Sequence, residues 1–233
     1  MSPSAPEGAD EALVGQLERS RELGFLGPGP VGPHIEHARR FATALGGFRP
    51  ARALDLGSGG GLPGLVLVSA WPTTDWWLLD ANHRRTEFLQ EAVDALGLAD
   101  RVTVLRGRAE ELAHDPELRG AFDLVVARSF GKPAVTAECA AGFLTVGGSL
   151  VVSEPPAVPA PAVSPAAGRS SPTDGLYDAD TTEGSRWDAE GLAQLGLENV
   201  GQQVGCQVLR ATELCPDRYP RRVGIPGKRP LFR

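Results

Sequence analysis

The sequence predicts an α/β fold, a mostly parallel sheet with helices on both faces. Three observations predict it. Short apolar runs alternate with amphipathic stretches of helical period. The first apolar run leads straight into a glycine-rich turn, DLGSGGG at 55–61. With 42% hydrophobic and 22% charged residues, the chain can bury a core, which excludes a wholly disordered protein. At 233 residues it suits one α/β domain with extensions.

The elements follow in order. Residues 1–9 read as disordered. Residues 10–24 place Leu13, Val14, Leu17 and Leu23 at roughly helical spacing behind Asp10 as a cap. FLGPGPVGP (25–33) is too rich in proline and glycine for regular helix, and HIEHARRFATALG (34–46) reads as a second helix. ARALDLG (51–57) is the first strand. A helix fits 62–70, with Pro63 suited to its first turn. DWWLLD (75–80) is the second strand, and RRTEFLQEAVDALG (84–97) carries Phe88, Leu89, Ala92, Val93 and Leu96 on one helical face. Strands follow at 101–107, 122–128 and 147–154, with a helix at 133–143 before the last. The stretch 155–183 lacks periodicity and is rich in Pro, Ala, Ser, Thr and Asp, which predicts a flexible insertion. A short helix at 188–195 and strands near 199–204 and 205–213 complete the pattern. The organisation expected is therefore an N-terminal helical extension over 1–47, a ligand-binding α/β core over 48–154, the insertion over 155–183, and a closing part of the same domain with a basic tail over 184–233.

Composition narrows the function classes. No apolar run reaches the roughly 18 residues that span a bilayer, and the polar, acidic N-terminus carries no signal-peptide pattern. Cys139, Cys206 and Cys215 lack paired metal-ligand spacing and are odd in number, so they read as reduced thiols, not as a disulfide frame or a metal site. A cytoplasmic, monomeric protein without a bound metal is expected. The net charge of −6 argues against a globally basic nucleic-acid binder, but the charge is uneven. Residues 216–233 hold six cations against Asp217 alone, so this segment carries +5 and the remainder −11. Lys132 and Lys228 are the only lysines among 23 basic residues. That bias accompanies much Ala, Gly and Pro, so it reflects base composition and not function.

The chemistry gathers at three successive strand ends. Gly57 and Gly59 permit a tight turn and close approach of a ligand to the backbone. Asp80 ends the second strand, where a carboxylate accepts hydrogen bonds from both hydroxyls of a ribose. Ala109 and Glu110 follow the third strand, where an adenine would lie. An open α/β sheet binds its ligand at these carboxyl ends. The run 59–64 also satisfies the dinucleotide pattern GxGxxG, a weak match in a chain with 29 glycines. Asp55, two positions before the first glycine, favours S-adenosylmethionine over NAD. It can help hold an ammonium group, whereas it would repel a pyrophosphate. His34 and His37 lie three apart on a helix and read as a partly exposed face, not a metal pair. His83 and His114 read as loop residues, and Cys139 as helix core.

Together, LDLGSGGGLPGL, LLDANHRRTEFL, RGRAEEL and FDLVVARSF, in this order and spacing, resemble the bacterial small-subunit ribosomal RNA guanine-N7 methyltransferase family, the GidB or RsmG proteins. The ending RYPRRVGIPGKRPLF resembles that family's terminal motif. The resemblance covers about 51–154 and 205–233. It implies a Rossmann-like, seven-stranded class I methyltransferase sheet, S-adenosylmethionine as donor, and guanine N7 in ribosomal RNA or the small ribosomal subunit as acceptor. Carried over by position, it implies cofactor contacts at Gly57, Leu62, Ala109, Glu110 and Arg128, to which the strand-end reading adds Gly59 and Asp80. No catalytic base is assigned, because guanine N7 has a free lone pair and no proton to lose.

The chain departs from the family where the acceptor would bind. FLGPGPVGPHIEHARRFATAL stands in place of an Asn-Leu-Thr stretch and a His…Asp-Ser helix. Ser153, Glu154 and Pro155 stand where a Lys-Gly is usual. A paralogue that methylates a small molecule and a non-catalytic cofactor- or RNA-binding module therefore stay open as alternatives. In the tail, Arg221, Arg222 and Lys228 are candidate RNA contacts among Pro220, Pro226 and Pro230, with Tyr219 and Phe232 as anchors. The rival reading is a stiff strap whose cations pair with the acidic body.

Overall fold

A computed structural model describes residues 7–155 and 186–233. Seven strands form one sheet in the order β3-β2-β1-β4-β5-β7-β6. Strands β1 (Arg52–Leu56), β2 (Asp75–Asp80), β3 (Val102–Arg106), β4 (Phe122–Ala127) and β5 (Leu144–Ser153) run parallel. The antiparallel hairpin of β6 (Leu197–Gln203) and β7 (Cys206–Ala211) adds the last two, with β7 against β5. This is the fold the sequence predicts.

Alternate residues of each strand face opposite sides, so each side has its own core. Leu124, Val126, Trp76 and Leu78 pack with helices α1 (Glu7–Glu22), α2 (Val31–Ala44), α3 (Gly64–Ala70) and α4 (His83–Ala95). Val125, Ala127, Leu150 and Val152 pack on the other side with α5 (Ala109–Leu112), α6 (Pro133–Ala141), α7 (Ala189–Ala193) and the C-terminal segment. The N-terminal helices thus share a core with the sheet: Leu13, Leu17, Ile35 and Phe41 are all buried in it.

Several boundaries differ from the sequence reading. Residues 7–9 are helical, so Asp10 lies inside α1 and is not its cap; residues 1–6 lie outside the described part, as does the insertion beyond Pro155. Helix α2 begins at Val31, within the segment expected to be irregular. Proline explains this: Pro30 stands at the cap position and Pro33 in the first turn, where no amide hydrogen bond is required. Strand β5 starts at Leu144, three residues early, and shifts register against β4 between Phe122 and Leu124. The one-turn helices α5 and α8 (Ile225–Lys228) are too short to show a period in sequence.

The strand order reverses between β1 and β4, and the carboxyl ends of these two strands carry Gly57 and Arg128. At the other, amino-terminal end of these strands, Asp123 of β4 holds the start of β1, because one of its oxygens accepts from the amides of Ala51 and Arg52, both at 2.9 Å.

The C-terminal segment is fastened at several points. Arg119 donates to the carbonyls of Ala113, Cys215 and Tyr219, and His114 Nε2 donates to Pro220 O at 2.8 Å. Tyr219 and Phe232 are buried, as anchors should be. At Arg221 the structure has the contacts that the strap reading expects. Its guanidinium grips the fully buried carboxylate of Glu138 through Nε at 2.8 Å and Nη2 at 2.6 Å, its amide donates to the same group at 2.9 Å, and Nη2 also reaches Arg229 O. Arg221 therefore acts as a strut that holds the segment to α6. Arg222, Lys228 and Arg229 stay exposed, and none is ion-paired among the described residues. Removing one partner of a buried pair strands the other charge. The Arg221→Ala variant is expected to lose roughly 3 kcal/mol in urea denaturation. Glu138→Gln in the same chain should recover part of that loss, since no buried charge then remains.

Candidate functional site

The turn after β1 is held from two sides. The amides of Gly57 and Ser58 both donate to Leu79 O, at 2.8 and 2.9 Å, which ties the turn to the end of β2. Gly57, Gly59 and Gly61 have φ of +74°, +55° and +93°, the left-handed region that favours glycine. Below the turn, Asp55 Oδ2 accepts from the amide of Gly64 at 2.9 Å. A Cβ on Gly64 would lie 2.5 Å from that oxygen, so the start of α3 must be glycine to come this close. Ser20 of α1 donates to Gly60 O at 2.9 Å, so the N-terminal helix also fastens the turn.

Asp55 is fully buried, and its Oδ1 has no hydrogen-bond partner among the described residues. Burial pushes its pKa up to about 7, against the bonds from Gly64 and Ser58. Arg128 mirrors it across the turn: its Nη1 is buried without a partner among the described residues. Its Nη2 donates to His34 Nδ1 at 2.8 Å, which puts the histidine proton on Nε2. Burial, then the Arg128 charge, hold His34 and His37 below the usual histidine pKa. Both are half-buried, in keeping with the partly exposed face expected from sequence, and that face is turned toward Arg128.

Asp80 is buried at the end of β2. Its Oδ2 accepts from the amide of Gly59 at 2.9 Å and its Oδ1 from the amide of Asn82 at 2.8 Å. A carboxylate oxygen has a second lone pair, so both remain able to accept. Glu110 is buried too, and Oε1 accepts from Arg108 at 3.0 Å and from the amide of Gly224 at 3.1 Å. Burial is the largest single influence and raises its pKa. The amides of its own residue and Gly224, together with Arg108, outweigh that and hold it below the usual carboxylate value.

Two cavities of about 390 Å³ each meet at Ser129 and Phe130. Gly57, Asp80, Ala109, Glu110 and Val135 line the first. His37, Arg128, Glu154 and Trp187 line the second. Of the cofactor residues expected from sequence, Gly57, Asp80, Ala109 and Glu110 thus gather in one cavity and Arg128 in the next. Gly59 lines neither and instead orients Asp80. Leu62 is buried in the core below the turn. Ser129, between Arg128 and Phe130, has φ of +54°, a strained value for a non-glycine residue. His83 is not the loop residue expected from sequence but the first residue of α4; it bonds to Arg106 and Glu87 and lines neither cavity. Cys139 is buried on α6, as expected, and all three cysteines are free thiols.

The arrangement suits a nucleoside joined to a zwitterion. The first cavity has carboxylates at two strand ends and an apolar side at Val135. Beyond it, the unpartnered Asp55 Oδ1 and Arg128 Nη1 offer an acceptor and a donor for an ammonium and a carboxylate. S-adenosylmethionine has all these parts, so the residues present fit that group.

The model of the family described as rRNA small subunit methyltransferase G matches residues 34–154, just over half of the chain. The chain belongs to this family. Among its relatives, Ribosomal RNA small subunit methyltransferase G of Prochlorococcus marinus is 35% identical over 186 residues, 78% of this chain and 69% of that protein. The methyltransferase G of Deinococcus deserti is 33% identical over 201 residues, 85% of this chain and 77% of that one. Solved structures agree on the fold. Cofactor-bound Rv0187 from MTB aligns with a TM-score of 0.53 at 18% identity, over 89% of this chain and 91% of that one. An O-methyltransferase of Bacillus cereus in complex with SAH aligns at 0.50 and 15% identity, over 65% and 67%.

For a methyltransferase G chain, sequence reasoning missed Phe130, which divides the two cavities and whose ring lies against Gly57. It stands at the end of the FDLVVARSF run, so position after a strand at the switch point was the available signal. The histidines of α2 gave none, since their use depends on how that helix docks.

Asp55 generates a prediction for the ligand-free protein. The folded state keeps the proton to about pH 7, whereas the unfolded carboxyl releases it near 3.8. The group therefore favours folding most at low pH and withdraws stability as the pH rises through this window. Urea denaturation between about pH 5 and 7 should show the Asp55→Asn variant lacking a downward slope of up to about 1.4 kcal/mol per pH unit. Equal slopes in both proteins would mean that Asp55 is ionised throughout.

Proposed function

We propose that this chain transfers the methyl group of S-adenosylmethionine to N7 of a guanine in small-subunit ribosomal RNA. The observation that carries this reading is the pair of cavities meeting at Phe130, in a chain of the methyltransferase G family. One cavity has the groups for a nucleoside cofactor, and the other has room for a base beside it. The domain division proposed is the one expected from sequence, with 48–154 as the cofactor-binding core.

In this reading Asp80 accepts hydrogen bonds from the ribose hydroxyls, and Gly59 holds its carboxylate in place. Ala109 and Glu110 border the adenine. Gly57 lets the cofactor pass close to the backbone, with Leu62 supporting the turn from below. Arg128 pairs with the carboxylate of the methionine part, and Asp55 lies under its ammonium. When bound, the cofactor supplies an electrophilic methyl on sulfur. Guanine N7 already carries the lone pair that attacks it, so the protein need only align the two and exclude water. Exposed Arg222 and Lys228 flank the Gly224 amide that Glu110 holds, so they stand near the cofactor cavity and are proposed to contact RNA phosphates.

Two measurements test this. The protein, incubated with labelled cofactor and small subunits from a strain lacking the modification, should yield 7-methylguanosine on nucleoside mass spectrometry. Label confined to small molecules would sink the RNA reading. In calorimetry, Asp80→Ala should weaken cofactor affinity at least about tenfold, the loss expected for hydrogen bonds to a charged group. The Arg222→Ala/Lys228→Ala double variant should leave cofactor affinity unchanged. Its RNA affinity should fall less steeply with salt, the log–log slope shrinking by about 1.4 for two single-strand phosphate contacts.

A further inference from the structure

Glu154 lies just past the end of β5, and its side chain is only 8% exposed. Trp187 Nε1 donates to Oε1 at 2.7 Å and Arg186 Nη1 to Oε2. A carboxylate closed off from water this far is held by two donors, and each oxygen keeps one further lone pair. Glu154 lines the second cavity and not the first. On the same cavity lies His37, whose Nε2 is buried without a partner among the described residues. The cavity thus presents an acceptor pair and one unmet imidazole nitrogen to whatever enters.

We infer that Glu154 is the specificity-determining residue of the acceptor cavity, reading the N1–H and N2–H₂ edge of guanine. The inference rests on the proposed function, because it takes the second cavity as the place of the base. In guanine, N7 and the N1–N2 edge lie on opposite sides of the ring system. A base with N7 at the border that both cavities share, beside Phe130, turns its N1–N2 edge away from that border and toward the second cavity's own wall. Glu154 is the carboxylate on that wall. The two hydrogens of the guanine edge match the two oxygens of a carboxylate. The O6 atom, next to N7, is an acceptor that suits a proton on His37 Nε2. Adenine reverses both patterns, with an acceptor at N1 and an amine at position 6, so it would set a lone pair against Glu154. Hypoxanthine keeps N1–H and O6 but lacks the amine, and so loses one of the two bonds. Trp187 and Arg186 act through Glu154 as positioning residues, since their two hydrogen bonds aim the carboxylate.

Nucleotide binding tests this without requiring RNA methylation. Calorimetry is run on the full chain in saturating S-adenosylhomocysteine with guanosine, inosine and adenosine 5′-monophosphates. The wild-type protein should bind the guanine nucleotide about tenfold more tightly than the hypoxanthine one, and the adenine one least. In Glu154→Gln and Glu154→Ala the guanine-to-hypoxanthine ratio should fall toward one, with S-adenosylhomocysteine affinity unchanged. A structural role for Glu154 would weaken all three nucleotides alike and leave their ratio intact, which would overturn the inference. Equal binding of the three nucleotides by the wild-type protein would overturn it too, and that result needs no variant to fold. If the ranking holds but no label reaches small-subunit RNA, the RNA reading fails and the base-reading role of Glu154 stands.

Discussion

The site depends on one close approach, the Gly64 amide on the buried carboxyl of Asp55. The contact stitches the end of β1 to the start of α3 at a point where no Cβ could fit. It sets the curvature of the turn between them, and with it the direction of the Gly59 amide that holds Asp80. The carboxyl is kept out of water to make this contact, and its raised pKa is the thermodynamic mark of that burial. The neighbouring strands carry the same constraint outward, since Leu79 O receives two amides of the turn and so fixes β2 against it.

Around this centre the fold divides labour between its ends. The N-terminal helices brace the turn from the α1 side through Ser20 and bring the histidines of α2 to Arg128. The C-terminal segment closes the other face, and it separates two kinds of cation. Arg221 and Arg119 are bound to Glu138 and to carbonyls, and they hold the segment down. Arg222, Lys228 and Arg229 stay in water. An acidic body with a basic edge is thus the result of ion pairs that hold some arginines and leave others outside.

The parallel core was legible in the sequence because its signals are local. Strand β2 has the bounds its apolar run predicts, and the glycines, Asp80, Ala109 and Glu110 fall at strand ends as their spacing requires. What was not legible depends on tertiary contact. Whether Arg221 or Arg222 is free turns on Glu138, 83 residues from Arg221 and hidden on α6. Whether His34 faces solvent turns on Arg128, 94 residues away. The start of α2 was missed for a local reason: a proline reads as a helix breaker, yet in a first turn it is compatible with the helix. Leu62, taken from the family resemblance, and Gly59, taken from the strand-end reading, both needed the structure to place them. They belong to the turn, but one supports it from the core and the other orients a neighbour.

Glu110 has a double engagement, on the wall of the first cavity and on the amide of Gly224 at the same time. A single carboxylate therefore belongs to two equilibria. Any ligand that shifts the 222–228 segment alters how Glu110 is held and changes the free energy of filling the cavity. Linkage then requires the converse, because a molecule that fills the cavity must change the affinity of the segment for that ligand by the same factor. The shared side chain makes the two surfaces reciprocal, so the order in which they are occupied is open to control from either one.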